Sequence, residues 1–423
     1  MKNFRLTFLA LSRTTEMEIK SENDISPILN DLLIAFAKEI DCKNKKINID
    51  SLQQNTENFR TKINSVIQKY KAINPKILQI NSYFKKDLED NEHFFIFCNT
   101  TISKEQRFLL YNYLLALREG EDFKKITKEI DDLFGVLMDS YEMFAFDSDT
   151  KNNIKIGESD KSKRVCRYCN KKSPEVSFKK VAHSISEALG NKKIITNDEC
   201  DACNEKFGKG IENDLILYLN LYRVFFGIRG KNGIPKFKGK NFEIENNETI
   251  KIKQILSDEE IAVSDCSDFQ VRLETSEKIT TQNIYKTLSK YALGVIDRTQ
   301  IVNFKDTIEW INGKRNIDNL PKVAILSSYD LFSTHPKLMV YLRKSEDNKL
   351  PYAVAEFRFT FLTFVYIIPN SSKDTTDFTQ NDNFEYFWSF FKHYSSVQNW
   401  SFQKMNDNTV RPFVMNLNIG KNK

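Results

Sequence analysis

Two short motifs hold the residue types best suited to chemistry. Cys166-Arg-Tyr-Cys169 is followed, after thirty intervening residues, by Cys200-Asp-Ala-Cys203. Two residues between cysteines let one tight turn offer both thiolates to one ion, and structural zinc takes four such ligands in a tetrahedron. The pattern predicts a structural Zn²⁺ held by Cys166, Cys169, Cys200 and Cys203. A redox pair or buried free thiols are the alternatives. Cys42, Cys98 and Cys266 stand alone and read as core or surface residues.

Between the pairs runs Val181-Ala182-His183-Ser-Ile-Ser-Glu187-Ala-Leu-Gly190-Asn191, then a β-like run from Lys192 to Thr196. After the second pair comes Asn204-Glu-Lys-Phe-Gly208-Lys-Gly-Ile-Glu212. A CxxC, a His before an Ala-Leu-Gly turn, a short strand, and a CxxCN with Phe-Gly downstream is an order that resembles the zinc-bearing HNH endonucleases. The resemblance covers a short stretch of the 423 residues.

That resemblance implies a ββα fold, a hairpin and a helix around one divalent metal, supported by the zinc knuckle. It implies that His183 is the general base that takes a proton from the attacking water. A neutral imidazole with an ordinary pKa of about 6.5 suits that task. It also implies that Asn204 ligates the catalytic Mg²⁺ or Mn²⁺, or orients a water on it. Read without the motif, a His beside Val181 and Ala182 is structural, and an Asn after a knuckle is a helix N-cap. Relatives carry a middle Asn that holds the base's backbone, and Asn191 and Asn197 both stand near enough to fill that role. One departure matters. Many relatives place Asp, Glu or His just before the base, as a metal ligand, where this chain has Ala182; Gly208 stands where some have a further His. Glu212, two helical turns beyond Asn204, and Glu187, in the turn after the base, are the candidates for the missing carboxylate.

Charge points to the same kind of substrate. The chain carries 63 basic and 57 acidic side chains, a net +6 too small to announce a polyanion partner by itself. Residues 161–180, however, hold Lys161, Lys163, Arg164, Arg167, Lys171, Lys172, Lys179 and Lys180 against Glu175. A second cluster, Arg223, Arg229, Lys231, Lys236, Lys238 and Lys240, is interleaved with Phe225, Phe226 and Phe237. Such clusters bind the DNA phosphate backbone without sequence choice; a solvated charged face is the bland alternative.

The surrounding elements must position these groups. Strands are expected at Phe4–Leu11, near Ile77–Ile80 and at His93–Cys98. Helices are expected over Ile25–Ile40, Ser51–Ile73, Lys104–Leu117 and Phe123–Phe144. Further on, strands are expected at 236–244, 249–255, 269–273, 322–326, 338–343 and 353–368, with helices over Gln282–Ile296 and Asp306–Ile311. The fold class is α+β. An α-rich N-terminal domain (1–150) for regulation or partner binding leads through a polar linker (151–164) to the HNH nuclease module (165–226). A mixed α+β C-terminal domain (227–423) follows. A small nuclease between two such flanks suggests delivery by a partner protein or self-association. The longest apolar run, Phe359–Ile368, is about half of the roughly 20 residues a membrane helix needs, and the N-terminus lacks a signal-peptide pattern. A cytoplasmic location and no membrane partner are expected. The family resemblance suggests a bacterial defence or mobile-element effector. A non-catalytic zinc module that binds nucleic acid, and an RNA-cleaving relative, are the competing readings.

Overall fold

The computed structural model describes residues 3–20, 24–41, 46–254 and 268–420. Cys42 and Cys266 lie outside them, and Cys98 is half-buried. The chain forms two compact units, Met1–Gly135 and Val136–Lys423, where three domains and a linker were expected.

In the first unit, strands Thr15–Lys20, Asn3–Ala10, His93–Cys98 and Leu52–Gln54 form an antiparallel sheet in that order. Alternation along Asn3–Ala10 places Phe4, Leu6 and Phe8 toward the core. There Phe8 meets Phe36, Tyr83, Phe84 and Phe94 at ring spacings of 5.1–6.2 Å. Helix Ser26–Phe36 stops short of the expected Ile40, because Ala37–Asp41 turns into a strand paired with Lys46–Ile49. The second helix starts only at Glu57, capped by the Thr56 hydroxyl, and Leu52–Gln54 ahead of it is strand. The strand expected at Ile77–Ile80 is helical: Pro75 opens a 3₁₀ turn that runs into helix Leu78–Ser82. Helix Lys104–Glu119 has a complete capping box from Ser103 and Gln106 and ends on Gly120 at φ 67°.

Helix Phe123–Ser140 also ends early. Tyr141–Asp147 becomes the edge strand of a six-stranded antiparallel sheet. Its neighbours, in order, are Ser333–Arg343, Ala353–Thr360, Leu362–Ile367, Val323–Ser327 and Ser401–Gln403. Tertiary pairing overrides helical spacing here: Tyr141 is buried against Tyr341 and Phe391. The run expected as one strand over 353–368 is a hairpin that turns at Thr360, φ 54°.

Helix Thr281–Val295 is buried along nearly its whole length. On one side Tyr285 donates to the Ile367 carbonyl and Tyr291 packs on Phe357. Its other side meets the cysteine-bearing segment. The stretch expected as a linker, 151–164, is built into this unit. Ile154–Ile156 pairs in parallel with Ile194–Thr196, and Arg164 is buried with its guanidinium on the Glu158 and Ser159 carbonyls. Among the described residues no helix is long and apolar enough to cross a membrane.

Candidate active site

The four cysteine sulfurs lie within 4.8 Å of one another, with Cys169 and Cys200 Sγ 3.7 Å apart. A tetrahedral zinc with bonds of about 2.3 Å requires sulfurs roughly 3.8 Å apart, so the donors fit that ion. Both knuckles are set by backbone turns. Cys166 N donates to the Lys171 carbonyl, and Asn170 at φ 58° closes the first turn. Cys200 is the N-cap of helix Asp201–Lys209, which carries Cys203 in its first turn. The hydrogen bond from Cys203 pulls the Cys166 thiol down to about 5, while burial pushes Cys200 up to about 12. Four thiols this close cannot all ionise without a cation among them.

His183 lies in an extended segment that runs antiparallel beside strand Ile194–Thr196. It is paired with Ile195; Ser184 N donates to Ile194 O at 3.0 Å, and Thr196 N to Ala182 O at 2.9 Å. With helix Asp201–Lys209 following, the order is extended segment, strand, helix. The structure also decides between the two asparagines. Asn191 is fully buried; its amide donates to the Ile185 and Ile194 carbonyls and accepts from Lys193 N and Ile194 N. It pins the segment and strand together behind His183, whereas Asn197 only donates its backbone N–H to Ile156 O.

The His183 imidazole is half-buried. Burial lowers its pKa, Glu187 and Glu212 pull it back up, and Lys290 pushes it down. The net result is a ring below 6.5, neutral near pH 7.

Behind the candidate base lies a buried charge network in which Glu212 meets Lys290 and Glu199, two residues not expected at the site. Lys290 Nζ is 2.9 Å from Glu212 Oε1, 3.1 Å from Glu199 Oε2 and 3.4 Å from the His183 carbonyl oxygen. Burial alone would neutralise this lysine, but Glu199 and Glu212 outweigh it and hold it charged. Burial raises Glu199 to about 7. The signal in the sequence was a lysine set among Tyr285, Leu288, Tyr291 and Leu293 on an expected helix.

The same helix end anchors the module. Arg167, paired with Asp198 at 2.7 Å, donates to the Leu293 and Ile296 carbonyls. Tyr168 donates to Lys290 O, and Thr196 to Gly294 O. The helix's last carbonyls lack partners within it, and Arg167 and Thr196 satisfy those of Leu293 and Gly294.

Several expectations change. Asn204 is not a cap, since Cys200 holds that position and Asn204 sits inside the helix. Glu212 is not two turns along the same helix. The chain breaks at Gly210 (φ −109°, ψ −108°), a new helix spans Ile211–Tyr218, and Glu212 turns inward to Lys290. Glu187 stays in the 3₁₀ turn after the base. Among the described residues, the four cysteines alone gather three or more His, Cys, Asp or Glu donors in metal-binding reach. Neither His183 nor Glu187 belongs to such a group.

The basic clusters also thin out. Arg164 and Arg167 are buried structural groups, while Lys161, Lys172 and Lys179 remain exposed. In the second cluster, Arg223 is buried on Asn220, and burial lowers it to about 10. Lys236, Lys238 and Lys240 pair with Glu245, Glu243 and Glu274.

An extended segment, a short strand and a helix thus accompany a four-cysteine cluster compatible with zinc. Residues 166–219 match the family model of the HNH endonucleases. No curated protein and no solved structure matches the chain. The segment supports nuclease chemistry, and with it a nucleic acid substrate.

Proposed function

We propose that the protein is a metal-dependent HNH-type endonuclease that hydrolyses phosphodiester bonds in DNA, with a structural zinc in the four-cysteine site. The observation that carries this reading is His183: half-buried, in an extended segment pinned by Asn191 and Lys290, with its imidazole below 6.5. A neutral imidazole so placed takes the proton of an attacking water. Asn204, on the knuckle helix, would ligate the Mg²⁺ or Mn²⁺ directly or orient a water on it. Exposed Lys172 and Lys179 attract the backbone without reading sequence. A bound Mg²⁺ or Mn²⁺ supplies charge to the phosphate and the leaving oxygen. A cytoplasmic bacterial defence or mobile-element effector, delivered by a partner protein or by self-association, is the context we favour by analogy with the family.

Plasmid nicking tests the reading. Wild-type protein with Mg²⁺ or Mn²⁺ should convert supercoiled DNA to nicked or linear forms. His183→Ala should bind that DNA and leave it intact. One observation favours a second reading, a zinc module that binds nucleic acid without cutting: Ala182 stands before the base and Glu212 is committed to Lys290. Binding without cleavage by wild-type protein, with either metal, would select that reading. Parallel assays on RNA test the RNA-cleaving relative.

A further inference from the structure

The second basic cluster retains two cations that the fold does not neutralise. Arg229 and Lys231 are exposed and have no ion pair among the described residues. Both lie on the loop after Phe226, and that loop touches the turn following His183. A Cβ placed on Gly190 would stand 3.2 Å from Ile228 Cγ2 and 3.5 Å from the Thr334 carbonyl. One placed on Gly230 would stand 3.1 Å from Ala188 Cα. Three segments thus meet at the turn that follows the candidate base in the chain.

Two of those segments carry an open aromatic surface. Phe332, 42% exposed, packs on Phe226 at 4.9 Å. Tyr329, 74% exposed, lies against Phe361 at 4.8 Å, and Phe226 meets Phe361 edge-on at 5.7 Å. Phe226 is two residues from Ile228, and Phe332 two from Thr334, so the surface starts where the loops meet that turn. Each exposed ring is backed by another ring, which fixes its orientation at little cost in side-chain entropy. Asp330 is the acid in the same stretch.

Oriented exposed rings beside unpaired cations match what single-stranded nucleic acid requires: stacking faces for bases and positive charge for the backbone. We propose that Tyr329 and Phe332 form a stacking shelf for unpaired bases next to the scissile phosphate. The shelf gives this nuclease a preference for substrates with single-stranded or unstacked nucleotides. This rests on the nuclease reading above for the position of the phosphate, and not for the binding itself.

The test measures binding of the full chain to three oligonucleotides of one sequence: single-stranded, fully paired, and single-stranded with abasic sites. Tyr329→Ala and Phe332→Ala should each weaken single-strand binding by about 10-fold, the usual worth of one stacked base. Tyr329→Trp should restore it and Tyr329→Leu should not. Affinity for the duplex and the abasic strand should be unchanged by these variants. Arg229→Ala should flatten the salt dependence, and the ring variants should leave its slope alone. Wild-type affinity of both alanine variants for the single strand, or an equal loss on the abasic strand, would overturn the shelf. A wild-type protein that shows these binding differences but never cuts would instead remove the endonuclease reading and leave the shelf standing.

Discussion

The base role proposed for His183 requires a neutral imidazole, and the surroundings of the ring set the pH at which that holds. Burial lowers its pKa below 6.5, so cleavage should rise with pH through a value under 6.5 and be flat around neutrality. Glu187 opposes that shift. Removing its charge in Glu187→Gln should move the acid limb of the rate profile to still lower pH. A raised metal requirement in that variant, with the limb unmoved, would make Glu187 a metal ligand instead. His183→Ala should lower cleavage by roughly 100- to 10,000-fold, the usual worth of a general base, with zinc content and melting temperature unchanged. Asn204→Ala should also lose cleavage, but high Mn²⁺ should recover more of that loss, since Mn²⁺ binds mixed nitrogen and oxygen donors more strongly than Mg²⁺. Wild-type cleavage by His183→Ala would remove the base assignment.

The extended segment and the knuckle helix hold these groups, and each has its own lock. Cys169→Ser or Cys203→Ser should drop zinc below the one ion per chain expected from elemental analysis. The cysteine-bearing segment should lose its protection from proteolysis, because structural zinc contributes folding energy directly. Lys290 is the lock on the other side. Lys290→Met leaves Glu199 and Glu212 buried without their cation, and breaking such a pair costs about 3–5 kcal/mol. A large fall in melting temperature is expected. Adding Glu199→Gln and Glu212→Gln to the same chain should recover part of it, since the remaining groups no longer carry unpaired charge. A melting curve for Lys290→Met that overlays the wild type would show that the network is not structural.

At the scale of the molecule, the segment that matches the HNH family model is not a free-standing bead. Its Arg167, Tyr168 and Thr196 donate to carbonyls of helix Thr281–Val295, which lies far along the chain and packs through Tyr285 and Tyr291 on the six-stranded sheet. A fragment limited to 165–226 should therefore bind zinc yet melt far below the full chain. A fragment from Val136 onward should keep near-native zinc content and circular dichroism, because those residues form one compact unit. Comparable stability of the two fragments would show that the helix adds nothing to the module.

The sequence alone was enough for what depends on local spacing. Two CxxC pairs announce a four-thiolate site, because one turn fixes each pair. The position of His183 within the motif placed the candidate base, and local apolar runs marked strands at Phe4–Leu11 and His93–Cys98, observed at Asn3–Ala10 and His93–Cys98. What sequence spacing could not decide was every choice between two chemically equivalent residues, or between local propensity and a distant partner. Asn191 and Asn197 have the same amide, and only the folded chain shows which one has both carbonyls in reach. Tyr141–Asp147 continues a helical pattern, yet pairs with Lys337–Arg343 nearly two hundred residues away because that pairing buries Tyr141. Glu212 seemed to share a helix face with Asn204 until the break at Gly210 turned it toward Lys290. Arg167, counted in a phosphate-binding patch, became the buried partner of an aspartate and helix carbonyls. Charge can be counted along a chain, but whether a charge faces water or a buried counter-ion is settled only when the chain folds.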